Sequence, residues 1–474
     1  MCGLLLFYTV KSKGVVHMSN NQALDAAIYK KYIRPIQRPR QLFAGVEFEL
    51  PIVNLEQMPV DFHVVYALTE AFIDHFGFDV AHYDDNGHIY FAEKKTNGDG
   101  LSYDCSFNTL EFSFGIERDL NVIYQRFTDY YTFIQGFLTE RHHTLTGMGV
   151  NPYHEFNNNI PIANGRYRML LHHLQSYPKY GNAILFHHQP DFGLFCAASQ
   201  VQLDAQEDTV IDTLNVFAKL EPLKALLFAN SPYGDLLCSR DHFWKHSLHG
   251  LNPHNVDTYE TSLHSVGELV AYIRSMSIYC LERDGKYINF PPTPLERYFA
   301  SDSITGEYFD GKEYQAITFA PKLEDLAYLR SYKFEDLTYR GTIEFRSVCE
   351  QPISEIMTPA AFHAGLMEEV PELAALLDAD ESVYQQGYSP AELRELFVRR
   401  ELPAFLDRDA VSNLLIQVLD LAKNGLQKRG MGEEHFLEPL YHRARYLLSP
   451  ARQMAEGLAA GVPLEQYIKD YAAL

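Results

Sequence analysis

Several things are scarce or missing in this chain, and each absence removes a class of protein. No stretch approaches the roughly 20 apolar residues needed to span a bilayer, so a membrane-embedded reading is set aside. Cysteine is sparse: six residues at positions 2, 105, 196, 238, 280 and 349, with no CxxC pair. That usage suits a reducing cytosol and argues against a disulfide framework or a structural zinc site. Positive charge is in deficit, with 40 Lys and Arg against 62 Asp and Glu and a formal charge of −22. Such a balance opposes binding to nucleic acid or to an anionic membrane. No GxxxxGK[ST] occurs, so any nucleotide must be held through metals and side chains rather than a phosphate-cradling loop. Internal repeats and low-complexity tracts are missing too. Met1–Phe7 is apolar but lacks a basic leader and a small-residue cleavage site. Met1 and Met18 both qualify as the start, which leaves residues 1–20 an extension of undecided status.

What remains is a globular composition, 46% hydrophobic and 13% aromatic over 474 residues, long enough for a large core. Its most informative feature is a pattern of acids. Phe43-Ala44-Gly45-Val46-Glu47-Phe48-Glu49-Leu50 and Gly341-Thr342-Ile343-Glu344-Phe345-Arg346-Ser347 both read as strands. Strand side chains alternate between faces, so Glu47 and Glu49 share one face, as do Glu344 and Arg346, against an apolar face of Val46, Phe48, Leu50, Ile343 and Phe345. A third segment, Tyr103 to Phe112, adds Glu111 with Asp104 seven residues before it. Acids on a buried face need cations, metal ions or water. Oxygen-rich clusters of this kind suit Mg2+ or Mn2+, and no HExxH or comparable histidine pair stands beside them to favour zinc. In Ser199-Gln200-Val201-Gln202-Leu203-Asp204 the two glutamines face the same side, as neutral oxygen ligands or hydrogen-bond donors. Arg346 is placed to pair with Glu344 or to grip a phosphate or carboxylate as a bidentate fork. Arg240 follows the turn Asn230–Gly234, and Arg166 stands at a helix start.

Periodicity predicts helices at 20–35, 60–76, 119–142, 166–176, 207–229 and 262–283, with strands between 78 and 115, at 194–204, near 286–289 and at 334–348. After Pro352 the pattern is helical: 355–378, 390–400, 408–425, 433–447 and 450–458. The expected class is α+β, with 21–350 as the catalytic domain and 351–474 a helical part packed on the same unit.

In combination these segments resemble plant-type glutamate–cysteine ligases and the related bacterial carboxylate–amine ligases. The resemblance rests on Met148-Gly149-Val150-Asn151-Pro152, Ile160-Pro161, Gly165-Arg166-Tyr167-Arg168-Met169, Gln200-Val201-Gln202-Leu203-Asp204, Leu227-Phe228-Ala229-Asn230-Ser231-Pro232 and Arg240 with Trp244, in that order. It covers roughly 43–350 and implies a glutamine-synthetase-like fold, with a curved antiparallel sheet forming a funnel and helices behind it. It further implies a cytoplasmic, ATP-dependent enzyme, monomeric or homodimeric. That enzyme would join the γ-carboxylate of L-glutamate to the amine of L-cysteine through a γ-glutamyl phosphate, the first step of glutathione synthesis. By position, Glu47, Glu49, Asp104, Glu111, Gln200 and Glu344 become Mg2+ (or Mn2+) ligands. Arg240 and Arg346 become the catalytic pair, and Arg166, Arg240, Gln202 and Arg346 bind substrate and ATP. Asp104 stands where the plant enzymes carry glutamate. After Trp244 the chain reads Lys245-His246-Ser247-Leu248-His249-Gly250 in place of acidic residues and an arginine. That departure leaves a different amine acceptor as an alternative, and a metal-dependent amide or phosphoester hydrolase as a more distant one.

Overall fold

The computed structural model describes residues 20–176, 179 and 191–474, so the extension expected at 1–20 lies outside the described residues except for Asn20. In the first half the strands are β1 Ala44–Asn54, β2 Asp79–Tyr83, β3 Ile89–Lys94, β4 Asp99–Tyr103, β5 Thr109–Glu117, β6 His143–Leu145 and β7 Ser199–Asp204. Then come β8 Val256–Asp257, β9 Ser277–Arg283, β10 Lys286–Pro294, β11 Ile304–Phe309 and β12 Tyr314–Phe319. The last are β13 Tyr332–Lys333, β14 Glu335–Leu337 and β15 Thr342–Phe345.

The principal sheet runs β14-β15-β7-β1-β5-β4-β3-β2, antiparallel throughout, with β6 pairing the far end of β1. β1 is its centre, and the alternation read from the sequence sets its two faces. Val46, Phe48 and Leu50 turn to a helical layer, with Phe112 of β5, Val201 of β7 and Phe345 of β15 on the same side, all essentially inaccessible. The Phe48 ring meets Phe127 of the helix Leu120–Thr139 edge-on at 5.3 Å, and Phe345 meets Phe217 of the helix Val210–Phe228 at 4.5 Å. His363, from the helix Thr358–Leu366, stacks on Phe345 at 4.5 Å. Burying each such ring stabilises the fold by about 1.5–3 kcal/mol. The apolar core runs from Leu24 to Ala451, so helices from beyond residue 350 cover the same sheet as those before it.

Local chemistry fixes the helix ends. Asp61 caps Phe62–Phe76 by accepting from the His63 N–H at 2.9 Å, and Gly77, at φ 68°, closes it in the left-handed region. Ser389 and Glu392 form a reciprocal capping box on Pro390–Phe397.

Two helical expectations are corrected. The stretch 262–283 is a helix only over Val266–Ser275; Ser277–Arg283 is β9, the edge of a second antiparallel sheet ordered β12-β11-β10-β9. The helix stops because Asn252 donates to the Ser275 carbonyl at 2.9 Å while Asn255 pairs with the Ser277 backbone in both directions. These side chains satisfy groups that a longer helix would have bonded internally. The stretch 355–378 is two helices, Thr358–Leu366 and Val370–Ala379, the second with Pro371 in its first turn.

Candidate active site

The acids stand on the face of the principal sheet opposite the helical layer, and strand register brings them together. Glu49 of β1 lies across from Glu111 of β5, and Glu47 of β1 across from Gln200 of β7. On the next strands Gln202 of β7 faces Glu344 of β15, which faces Asp336 of β14. Glu49 is tied down by the Ala198 N–H and by the Gln200 amide, each at 2.7 Å.

Asp104 occupies the turn between β4 and β5. The following residue, Cys105, sits at φ 59°, a left-handed conformation that costs a non-glycine residue on the order of 1 kcal/mol. The surroundings impose it: the Ser106 hydroxyl donates to the Ile160 carbonyl at 2.8 Å, and the Ile162 N–H donates to the Cys105 carbonyl at 2.9 Å. The isoleucine–proline segment thus acts as a clamp on the turn that aims Asp104.

The arginines of the cavity come from three separate segments. Arg166 lies in the first turn of the helix Gly165–Gln175, whose N-cap Asn164 accepts from the Tyr167 N–H. Gly165 is required there because an added Cβ would meet the Tyr287 ring at 2.3 Å. Arg240, buried in the helix Ser239–Lys245, donates from Nη1 to the Arg346 carbonyl at 2.8 Å. Arg346 follows β15; it pairs with Glu344 through Nη2, while its Nε is buried without a partner.

Glu47, Glu49, Asp104, Glu111, Arg166, Gln200, Arg240, Glu344 and Arg346 all line one cavity of ≈ 460 Å³. Gln202 is not among its lining residues; its amide donates to Glu344 at 3.2 Å and its carbonyl accepts from the Thr342 hydroxyl at 3.1 Å. The cavity also takes in residues that the sequence reading did not single out: Arg330, Tyr332, Asp336 and Arg340. A signal for them existed. Arg330, Tyr332, Phe334 and Asp336 alternate along the segment, and all four line the cavity. The segment reaches it because β13 pairs in parallel with β8 and the Phe334 N–H donates to the Asp257 carbonyl at 3.0 Å. Trp244 stacks on Tyr332 at 5.0 Å and, with Gly193 and Cys196, forms an apolar stretch of the lining.

Electrostatically, the acid wall is under stress. Burial, reinforced by the Glu344 charge, pushes the Glu47 carboxyl up to about 7; burial and Asp104 push Glu49 up to about 8. Asp104 and Glu111 are also raised, by burial first and, for Glu111, by Glu47 next. Asp336 rises to about 6 through burial. Among the described residues, the ion pairs of the site go to Glu344 and Asp241 and not to Glu47, Asp104 or Glu111. These carboxylates therefore look outward for a cation. Their oxygens do not form a tight trio: among the described residues, the one group of His, Cys, Asp or Glu with three ligand atoms within 4.8 Å of one another lies elsewhere. The spread set fits Mg2+, which keeps several waters and takes one or two carboxylates together with substrate phosphates. Arginines lining the same cavity match the anionic oxygens that would share such ions.

A family model, the glutamate-cysteine ligase family 2 (GCS2), matches residues 43–467. Among curated proteins, the chain is 26% identical over 329 residues to a chloroplastic glutamate–cysteine ligase of Brassica juncea, covering 65% of this chain and 57% of that protein. It is 26% identical over 317 residues to the chloroplastic enzyme of Arabidopsis thaliana, covering 63% and 54%. The chain thus matches little more than half the length of these relatives. A solved glutamate–cysteine ligase of Francisella tularensis in complex with AMP aligns over 92% of this chain and 88% of its own, at 11% identity and a TM-score of 0.45. With the family model spanning both the acid-bearing sheet and the helices that back it, the chain belongs to the glutamate-cysteine ligase family 2.

Proposed function

We propose that the chain is an ATP- and Mg2+-dependent ligase that joins the γ-carboxylate of L-glutamate to the amine of L-cysteine. The observation that carries this reading is a single cavity, in a member of this family, lined both by acids without ion-pair partners and by arginines. A carboxylate is a poor electrophile and needs activation. A γ-carboxylate oxygen of glutamate attacks the γ-phosphorus of ATP, the bond from that phosphorus to the bridging oxygen breaks, and ADP leaves. The cysteine nitrogen then attacks the acyl carbon of the γ-glutamyl phosphate; phosphate departs and takes the surplus amine proton.

Phosphoryl transfer depends chiefly on positioning and on neutralising charge, so no protein nucleophile is needed. Mg2+, or Mn2+ in its place, would be held by Glu47, Glu49, Asp104, Glu111 and Glu344 with Gln200 as neutral ligand, and would offset the polyphosphate charge. The chain's own cations do the rest. Arg346, anchored by Glu344, presents its guanidinium to a transferring phosphoryl group from the cavity lining. Arg240 secures the Arg346 backbone and shares the anionic load. Arg166, exposed at the cavity, meets a substrate carboxylate or phosphate. Gln202 positions Glu344 instead of touching substrate. The apolar stretch around Trp244, Tyr332 and Cys196 receives the acceptor side chain. Of the residues that depart after Trp244, Lys245 bonds to Asp257 and Glu395 at 2.6 and 2.9 Å, away from the cavity lining. The described cysteines are all unbridged, which supports a reducing compartment such as the cytosol.

The test is ADP release with L-glutamate fixed and amines varied, with mass measurement of the product. Release that needs both glutamate and cysteine, and yields their γ-linked dipeptide, supports the reading. Glutamate-dependent release with another amine alone would reassign the acceptor, and turnover without ATP would point to a hydrolase.

A further inference from the structure

The helix Ser239–Lys245 has two working sides. Arg240, Asp241 and Trp244 line the cavity. His242 and His246 are on the other side, one turn apart, with the His246 N–H donating to the His242 carbonyl at 3.0 Å. Glu395, from the facing helix Pro390–Phe397, points between them: its oxygens lie 3.8 Å from His242 Nδ1 and 3.8 Å from His246 Nε2. We propose that His242, His246 and Glu395 form a binding site for a borderline divalent cation of the Zn2+ class, separate from the oxygen-donor cavity.

Four observations carry it. A ligand atom from each of the three residues lies within 4.8 Å of the other two, and they are the one such group among the described residues. Atoms about 2.0–2.1 Å from a tetrahedral Zn2+ lie about 3.3 Å from one another, so small side-chain rotations complete the shell. The present separations are too long for hydrogen bonds, and His242 Nδ1 is shielded from solvent with no hydrogen-bond partner. The donors are two imidazoles and a carboxylate, a set that suits zinc or another late divalent metal, whereas Mg2+ takes oxygen. Finally, each side chain keeps about a quarter of its surface exposed, at 25, 25 and 29%, which leaves an entry path and room for a water as fourth ligand.

One cation already stands at the trio. Lys245 Nζ is 2.9 Å from Glu395 Oε1 and 2.6 Å from Asp257. Asp257 keeps Lys245 paired when the metal takes Glu395, so the exchange strands no charge. The neighbouring Arg394 is committed to Asp241 and Glu221 and does not compete. A bound ion would pin the helix that carries Arg240 and Trp244 to the helix that carries Arg394.

The experiment loads the full-length protein with Zn2+ alone, removes excess, and titrates the remainder against a chromophoric chelator; Co2+ loading reports geometry by its visible absorption. Wild type is expected to hold one equivalent that His242→Ala, His246→Ala and Glu395→Gln each weaken by at least about 100-fold, beyond the roughly 10–100-fold carried by outer-sphere partners. His264→Ala, on an exposed histidine elsewhere, should leave that equivalent in place. Glu395→Gln is nearly isosteric, and circular dichroism confirms that each variant is folded. Zinc retained equally by all three variants, or no equivalent held by wild type, overturns the proposal, and an excess of Mg2+ that displaces the ion does the same.

Discussion

Arg346 is the residue on which the proposed chemistry leans hardest. It is the guanidinium fixed at the end of β15, and Gln202 still holds Glu344 when it is removed. Arg346→Ala should lower glutamate-dependent ADP release by on the order of 10²–10³-fold, the cost of removing one preorganised charge stabiliser, with the circular dichroism spectrum unchanged. The acids make a second prediction. Glu47 and Glu49 rise from an ordinary value of 4.5 to about 7 and about 8. Between those limits the folded protein retains protons that the unfolded chain has lost, so these two groups contribute progressively less stability as pH rises from about 4.5 to about 8. A bound divalent cation takes the place of those protons. The rise in thermal midpoint on adding Mg2+ should therefore be small near pH 5 and grow towards pH 8; an equal rise at both would remove the acids from the metal site. Glu47, Glu49, Glu111 and Glu344 were legible as a set because a strand's alternation is written directly into the sequence. Asp336 was not, because β14 is a three-residue strand whose pairing with Glu344 exists only through register.

Among the elements, the short helix Ser239–Lys245 is held by a buried seam. Arg394 pairs with Asp241 and with Glu221, whose oxygen lies 2.8 Å from Nη1, and both acids are almost fully enclosed. Removing a buried partner strands the opposite charge, at a cost of about 3–5 kcal/mol. Arg394→Leu should accordingly lower the unfolding free energy from urea titration by that amount, seen as a lower midpoint, and raise the KM for ATP or glutamate, since Asp241 also contacts Arg240 at 3.3 Å. An unchanged midpoint would mean the seam carries no stability. Elements with strong local signals, such as the capped helix Phe62–Phe76, match their expected span closely. β9 did not, although Asp284-Gly285, both at positive φ, is a hairpin turn signature between β9 and β10. The apolar spacing of Ile278 and Leu281 suited a helix equally well, and only the Asn252 and Asn255 side chains decide where the helix ends.

For the whole molecule, the helical segment after residue 350 is part of the support for the acid-bearing sheet. His363 stacks on Phe345 behind Glu344, and the Arg443 guanidinium donates to the Leu227 carbonyl at 2.9 Å and to Gln351 at 2.7 Å. We therefore read 21–350 and 351–474 as one cooperative unit. A chain ending at residue 350 should expose the apolar back of β7 and β15, and should show no cooperative thermal transition and rapid proteolysis; a sharp transition in that fragment would make the C-terminal helices a separate unit.

By itself the sequence determined the face each acid would occupy, the excess of carboxylates over cations and the helical character of the segment after residue 350, because alternation, charge and periodicity are local properties. Tertiary structure decided the rest: that Glu111 would stand opposite Glu49, that Asp336 and Arg330 would join the cavity, that Gln202 would hold Glu344 instead of lining it, and that His242 and His246 would meet Glu395. Each of these depends on pairing between segments far apart in the chain, where strand register and helix packing, not neighbouring residues, set the distances.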